Sequence, residues 1–166
     1  MYHFTMTTKE EDSVPGGLGY WVGSLASAFR KGVADELEPF GISPTQWAIL
    51  EACYGGKANT PSGLARIIPI DTAAISRQLD KLKDKGLIQR RRSARDRRSI
   101  RVSLTAAGRE LFPRLLPCVQ ANNAKFLKGI TEAEQAAFIN TIGKMLSNAE
   151  TDIYLDEELL SPLKTI

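Results

Sequence analysis

The stretch from Asp71 to Leu104 restricts the possible folds more than any other part of this 166-residue chain. It opens with Asp71, whose carboxylate can accept hydrogen bonds from the free amides of a first helical turn. Apolar residues then recur at helical spacing and give the helix one apolar face: Ile75, Leu79 and Leu82. Gly86 follows two lysines, and glycine after cations is typical of a helix C-terminus. The sequence therefore predicts a helix that ends just before Gly86.

A pair of short strands is predicted directly after this helix. Leu87 and Ile88 begin a new apolar pattern. Ile100, Val102 and Leu104 alternate with polar residues, which is the period of a half-buried strand. The intervening loop, RRRSARDRRS, is strongly basic. We call these two strands and their loop the wing.

Positive charge is concentrated in and beside the wing. From Lys81 to Arg101 the net charge is +8, whereas the whole chain carries +3 and the remainder is therefore acidic. A charge run alone is more often a solvated loop. Here it follows a helix with small and basic residues on one face. Such a helix can enter a DNA major groove while a basic hairpin reaches the adjacent minor groove.

Two further helices are predicted in front of this one. Ser43, Pro44 and Gln46 supply a cap, a first-turn proline and a capping-box partner. Thr60 and Pro61 repeat the cap and the proline for a short third helix. Two short helices followed by a recognition helix form a helix-turn-helix unit.

Longer helices are predicted on both sides of this unit. One runs from about Leu18 to Glu38, a second is capped by Thr105, and a capping box at Thr131 and Glu134 begins the last. Pro113 and Pro117 should bend the second of them. The outer helices carry more apolar surface than a small lobe can cover, so we expect them to form a dimer interface. A dimer would place two recognition helices one helical turn apart on a pseudo-palindrome.

Composition is typical of a soluble globular protein, with 43% hydrophobic and 25% charged residues. No apolar run approaches the roughly 20 residues that a membrane helix needs. The N-terminus lacks the basic start and apolar core of a signal peptide. We therefore expect a cytoplasmic protein without a membrane partner.

The sequence offers little for catalysis or metal binding. Cys53 and Cys118 do not form a zinc-binding spacing, and His3 is the lone histidine. There is no carboxylate pair with an evident site and no glycine-rich phosphate loop. We expect no metal, no cofactor and no enzymatic activity.

Four fragments in order resemble the winged helix-turn-helix of the MarR family of bacterial transcriptional regulators. They are SPTQWAILEAC, TPSGLARII, TAAISRQLDKLKDKGLIQRR and ARDRRSIRVSLTAAGREL. The most specific piece is the Asp-x-Arg of the wing, at Asp96 and Arg98. The resemblance extends over roughly residues 18–148. It implies a mainly α fold with a small β-wing, in which a winged helix-turn-helix lobe joins a helical dimerisation lobe.

The predicted organisation has five parts. Residues 1–17 form a mobile arm, residues 18–42 and 105–150 the helical dimerisation region, and residues 43–104 the DNA-binding domain. Residues 151–166 form an acidic and apolar tail, which we expect to pack onto the body or onto a partner subunit.

The residues expected to bind DNA lie in the recognition helix, in the helix before it and in the wing. They are Thr60, Ser62, Thr72, Ala73, Ser76, Arg77, Gln78, Lys81, Arg92, Arg95, Asp96, Arg97 and Arg98. By resemblance to the family, Arg98 would insert into the minor groove, with Asp96 holding the wing arginine in place. The alternative is that both only shape a surface turn.

The other contacts are expected from residue chemistry. Arg77 can pair with guanine and Gln78 with adenine, whereas the alternative for Gln78 is a solvent-facing position. Arg92, Arg95 and Arg97 would meet phosphates, which adds affinity but little sequence discrimination. For Thr60 and Ser62 simple helix capping competes with a phosphate contact, and Lys81 could merely solvate its helix.

The resemblance also implies a small-molecule effector, frequently an aromatic or phenolic anion, bound between the DNA-binding lobe and the dimer helices. Residues placed near that crevice are Tyr20, Trp21, Trp47, Tyr54 and Ile68. Aromatic residues at helical spacing are equally typical of a core.

Taken together, these features predict a dimeric regulator that binds a pseudo-palindromic double-stranded operator. We expect it to repress its own or a neighbouring operon and to be released by the effector. One alternative is a winged-helix module that binds a protein, which would not need the basic wing or show steep salt dependence. Another is a redox sensor that uses Cys53 or Cys118, although no basic residue adjoins either to lower its pKa.

Overall fold

A computed structural model describes residues 17–68, 70–92 and 100–149 of the chain. Within them lie six α-helices, a short 3-10 turn at Glu38–Phe40 and one two-stranded antiparallel sheet. The elements in order are α1 (Leu18–Leu37), α2 (Pro44–Tyr54), α3 (Pro61–Ile67), α4 (Thr72–Asp84), β1 (Ile88–Arg92), β2 (Ile100–Leu104), α5 (Ala106–Leu127) and α6 (Glu132–Asn148). The predicted fold class, mainly α with a small β-wing, is confirmed.

Side-chain caps begin five of the six helices where the sequence predicts them. Ser43, Thr60, Asp71, Thr105 and Thr131 each accept a hydrogen bond from a first-turn amide. Ser43 and Thr131 form full capping boxes with Gln46 and Glu134. Gly86 has a φ of 69°, which favours glycine, and its amide donates to the Lys83 carbonyl as α4 ends.

The wing strands pair in the register that joins Ile88 to Leu104 and Arg92 to Ile100. The amide of Val102 donates to the Asn59 carbonyl at 2.7 Å, so the segment before α3 adds a contact to the edge of the sheet. This hydrogen bond holds the wing close to the start of α3.

Thr105 joins the end of the wing to the end of α4. Its hydroxyl donates to the Gly86 carbonyl at 2.6 Å, and its amide donates to the Leu87 carbonyl at 3.1 Å. Gly108 lies so close that an added Cβ would come within 2.2 Å of the same Leu87 carbonyl oxygen. The first turn of α5 is therefore packed directly against the segment that leaves α4.

The core lies between α2, α3, α4, the wing and the first half of α5. Its fully buried apolar side chains are Leu37, Ile49, Leu50, Leu64, Ile75, Leu79, Leu82 and Leu115. In the described residues Leu37 is the only buried residue of α1, and α6 has none. Most of the core therefore lies within residues 43–104, and the flanking helices add Leu37, Phe112 and Leu115.

The helices α1 and α5 cross at a small residue. A Cβ added to Gly32 would come within 2.0 Å of the Asn122 Oδ1, and Asn122 is almost fully buried. The Asn122 Nδ2 donates to the Phe29 carbonyl at 3.4 Å, and the Phe29 ring stacks on Phe126 with centroids 3.9 Å apart. Close approach here depends on glycine in α1.

Several predictions can be compared with these elements. Helix α5 runs without interruption through Pro113 and Pro117, and its predicted bend stays a prediction. The predicted arm, apart from Gly17, and the predicted tail lie outside the described residues. None of the described helices is long and apolar enough to cross a membrane.

Candidate nucleic-acid interface

Helix α4 separates a buried face from an exposed one. Ile75, Leu79 and Leu82 are fully buried, as their spacing predicts. The predicted contact residues Thr72, Ala73, Arg77 and Lys81 are exposed, while Ser76 and Gln78 are half-buried. An exposed face with small and basic side chains leaves room for close approach to a polyanion.

Gln78 is half-buried, and its side chain has a hydrogen-bond partner on α2. Its Oε1 accepts a hydrogen bond from the Gln46 Nε2 at 3.3 Å, which links α4 to α2. Gln46 is buried, and its Oε1 accepts from the Lys85 ammonium at 3.0 Å and from the Ser43 amide at 3.3 Å. Lys85 also donates to the Gly41 carbonyl. These contacts fix where Gln78 lies on the edge of the exposed face.

Arg90 connects the wing to α4. From the middle of β1, its guanidinium lies 2.8 Å from the Asp80 carboxylate and donates to the Ser76 carbonyl at 3.0 Å. The Arg90 Nε is buried and has no hydrogen-bond partner among the described residues. One guanidinium, through its contacts with Asp80 and Ser76, thus sets the orientation of β1 against the recognition helix.

Thr60 acts as a helix cap, which was the alternative to a phosphate contact. Its hydroxyl accepts from the Gly63 amide at 3.1 Å and lies 3.4 Å from the exposed Ser62 hydroxyl. A phosphate contact by either residue stays a prediction.

The ends of the wing strands are basic and exposed. Arg91 pairs with Arg101 across the sheet, and Arg92, a predicted phosphate contact, lies at the end of β1. Like charges directly opposite each other repel, and an anion bound between them would relieve that repulsion. Arg95, Asp96, Arg97 and Arg98 lie outside the described residues.

The five predicted effector-binding residues fall into separate groups. Trp47 is buried and stacks on Phe112, which also stacks on Tyr54, with centroid distances of 4.9 and 4.1 Å. The Tyr20 and Trp21 side chains are exposed and contact each other at the start of α1. Ile68 is a buried core residue. Trp47 and Ile68 thus have the core role that was the alternative for such residues.

A cavity of about 300 Å³ lies elsewhere, at the crossing of α1 and α5. It is lined by Gly32, Asp35, Glu36, Asn122, Lys125 and Phe126, and none of the five predicted residues borders it. Lys125 pairs with Glu36. The other lining carboxylate, that of Asp35, lies 3.1 Å from the Lys31 ammonium, so every charged residue that lines the cavity already has an ion-pair partner.

The two cysteines are half-buried and unpaired with each other. Burial raises the pKa of the Cys53 thiol to about 11. The Cys118 thiol donates to the Arg114 carbonyl at 3.7 Å. A protonated thiol at Cys53 does not favour the redox-sensor alternative, since the thiolate is the reactive form.

The sequence interpretation missed Gln46, Lys85 and Arg90 as parts of this surface. The capping box explains Gln46 in the sequence, and nothing nearby in the chain indicates its further contacts with Gln78 and Lys85. For Arg90 a signal does exist. It lies on the same strand face as the apolar Ile88, and an arginine at an inward position needs a carboxylate or carbonyl partner.

Comparison with known proteins gives consistent matches. Residues 40–99 match the model of the MarR family. A mutant MarR from E. coli in complex with operator DNA has a TM-score of 0.73 at 25% identity, covering 78% of this chain and 93% of that one. A MarR-family regulator from Silicibacter pomeroyi is 29% identical, with a TM-score of 0.69 and coverage of 86% and 93%.

A Mycobacterium tuberculosis MarR-family protein in complex with p-aminosalicylic acid is also similar. It is 28% identical, with a TM-score of 0.62 and coverage of 78% and 98%. The matched segment extends from the 3-10 turn after α1 into the wing, and the structural likeness extends over most of each of these chains. The chain is therefore similar to MarR-family winged helix-turn-helix transcriptional regulators in fold, and its residues 40–99 match the model of that family.

Proposed function

We propose that this protein is a dimeric repressor that binds a pseudo-palindromic operator near its own gene and is released by a small effector. The observation that carries the proposal is the exposed face of α4, held beside a basic wing by Arg90. The similar E. coli protein is in complex with operator DNA, which supports the same use of this surface. Arg77 would contact base edges, and Arg92 would contact phosphate.

The predicted contacts of the wing loop belong to the proposal. Arg98 would enter the minor groove, where a narrow groove attracts arginine. Asp96 would hold it, and Arg95 and Arg97 would add phosphate contacts. The net charge of +8 between Lys81 and Arg101 supports this use of the segment.

The proposed dimer rests on the large apolar residues that α1 and α6 leave exposed. They include Leu18, Tyr20, Trp21, Val22, Phe138 and Met145. Apolar surface of this extent marks an interface. A symmetric pairing of the helices in regions 18–42 and 105–150 would cover it and would place two α4 helices on one face of the DNA.

Release by an aromatic acid is supported by the similar mycobacterial protein in complex with p-aminosalicylic acid. For this chain, we propose that the exposed aromatic pair of Tyr20 and Trp21 contributes to such a site once a second subunit covers it. Binding would then shift the dimer between spacings of the two DNA-binding lobes.

The test begins with selection of bound fragments from a random double-stranded library, followed by fluorescence anisotropy on the enriched site over a salt series. Arg77→Ala and Arg98→Ala should each weaken binding by about 1–3 kcal/mol. Arg92→Ala should instead weaken binding to all sequences and reduce the salt slope by about one. Failure of the wild-type protein to enrich any sequence would overturn the proposal.

Oligomeric state is tested by sedimentation of the full chain. The wild type should sediment as a dimer, and Phe138→Glu should shift it toward monomer because it places a charge in the apolar interface. Lys144→Glu, on the same helix at an exposed polar position, is the matched control. A monomeric wild type at micromolar concentration would contradict the dimer.

A further inference from the structure

The hydrogen bonds around Gln46 determine which atom of the Gln78 amide faces the protein. We propose that Gln78 reads its base pair as a donor only, and that it selects guanine over adenine. This inference rests on the proposed function, because it assigns a base preference to one residue of the same surface. It replaces the pairing of Gln78 with adenine that residue type alone suggests.

The first step concerns the Gln46 amide. One end of it lies 3.0 Å from the Lys85 ammonium and 3.3 Å from the Ser43 backbone amide. Both groups are donors only. That end of the amide must therefore be the oxygen, and the opposite end must be the nitrogen.

In the second step, the orientation of the Gln46 amide determines that of the Gln78 amide. The Gln46 nitrogen lies 3.3 Å from the terminal amide of Gln78, and a nitrogen donor must face an oxygen. The Gln78 Oε1 therefore accepts from Gln46 and faces α2, so the other end of the amide, the nitrogen, is the end left for DNA. Turning the Gln78 amide over would bring two NH₂ groups together and lose the hydrogen bond. Lys85, on the turn after α4, thus orients a residue of α4 through α2.

The third step concerns what remains for DNA. The Gln78 Nε2 has no hydrogen-bond partner among the described residues, so two N–H donors are available. The glutamine–adenine pair needs both a donor to N7 and an acceptor for the N6 amino group. Guanine presents two acceptors in the major groove, N7 and O6. A donor-only amide therefore matches guanine and leaves the adenine amino group without a partner.

The structure also suggests a variant that reverses the preference. In Gln46→Glu the introduced carboxylate can only accept, so it would take a hydrogen bond from the Gln78 nitrogen and turn the Gln78 oxygen outward. The change should preserve folding, because glutamate at this helix position also completes a capping box and would pair with Lys85. An outward oxygen suits the amino groups of adenine or cytosine.

The experiment uses the full-length protein and the operator enriched in the selection described above. Anisotropy is measured for every single base-pair substitution with the wild type, Gln78→Ala, Gln46→Glu and the double variant. The position that Gln78 reads is the one at which discrimination disappears in Gln78→Ala. At that position the wild type should prefer guanine over adenine on the order of tenfold.

In Gln46→Glu the preference at that position should move from guanine to adenine or cytosine, while the other positions keep their profile. The double variant should match Gln78→Ala, since the effect of position 46 acts through Gln78. A wild-type preference for adenine, an unchanged profile in Gln46→Glu, or no position that depends on Gln78 would overturn the inference. Each of these requires an enriched operator, so they differ from failure of the proposed function, in which no sequence is enriched.

Discussion

Arg90 Nη1 lies 2.8 Å from the Oδ1 of Asp80, and the same guanidinium donates to the carbonyl of Ser76, one helical turn earlier on α4. The two contacts differ in exposure. The Arg90 side chain is 23% exposed, whereas that of Asp80 is 62% exposed. Because exposed ion pairs contribute little, the carbonyl contact and the packing of the arginine should dominate.

We therefore expect Arg90→Met to lower the free energy of unfolding by about 1–2 kcal/mol, and Asp80→Asn to lower it by less than about 1 kcal/mol. Urea denaturation measures both. DNA affinity should also fall in Arg90→Met without a change in the salt slope, because no phosphate contact is lost. A slope that decreases by about one, as expected for Arg92→Ala, would mean that Arg90 contacts phosphate itself.

The crossing of α1 and α5 should not tolerate a methyl group at Gly32. The Cβ of Gly32→Ala would meet the buried Asn122 amide. We expect a loss of about 1–3 kcal/mol from overpacking. In the Asn122→Ala background the same substitution should cost much less, and a double-mutant cycle by urea denaturation measures this coupling. Additive effects would show that the two positions do not meet.

Phe112 lies between Trp47 and Tyr54 in a three-ring stack. Phe112→Ala should lower the free energy of unfolding by about 3–5 kcal/mol because it leaves a cavity in the core. Tyr54→Ala should cost less, since Tyr54 is exposed. Chemical denaturation measures both, and in a Trp21→Phe background the tryptophan fluorescence comes from Trp47 of the stack alone. Equal costs for the two variants would contradict the assignment of Phe112 to the core.

The Cys53 thiol should resist alkylation at neutral pH. With a pKa of about 11, the thiolate fraction at pH 8 is on the order of one in a thousand. In a Cys118→Ser background, iodoacetamide followed by mass spectrometry should show slow labelling that accelerates above pH 10, while urea-unfolded protein labels from about pH 9. Fast labelling of the native protein at pH 7 would revive the redox alternative.

The same thiol links stability to pH. The folded state keeps its proton to a higher pH than the unfolded state does. The contribution is therefore complete below about pH 9 and is lost as the pH rises toward 11. The Cys53→Ala variant should lack this alkaline decline in thermal melts.

Local signals explain most of what the sequence predicts correctly. Caps such as Asp71, the apolar spacing of Ile75 and Leu79, and the alternation in β2 each act within a few residues, so helices and strands follow from the chain itself. The family fragments add the order of the elements. This is why the fold class and nearly all element boundaries agree with the structure.

The details of the surface depend on residues far apart in the chain. Gln46 and Gln78 are 32 residues apart, and the Asn122 side chain contacts a carbonyl 93 residues away. No periodicity in the sequence indicates such pairs. The sequence therefore predicts that Gln78 faces either solvent or an adenine, without a hydrogen-bond partner in the protein. Trp47 was placed near an effector because an aromatic residue on an apolar face has the same pattern in a pocket and in a core.

The bonds that Thr105 makes to the Gly86 and Leu87 carbonyls have a mechanical consequence. They tie the start of α5 to the exit of α4, so the recognition helix cannot tilt without carrying the first turns of α5 with it. In the proposed dimer, each α5 would then move as a rigid body with α4, and its C-terminal half lies at the crossing with α1. A change of a few degrees in the angle between α1 and α5 would then change the distance between the two recognition helices by ångströms, because the displacement grows along the length of α5.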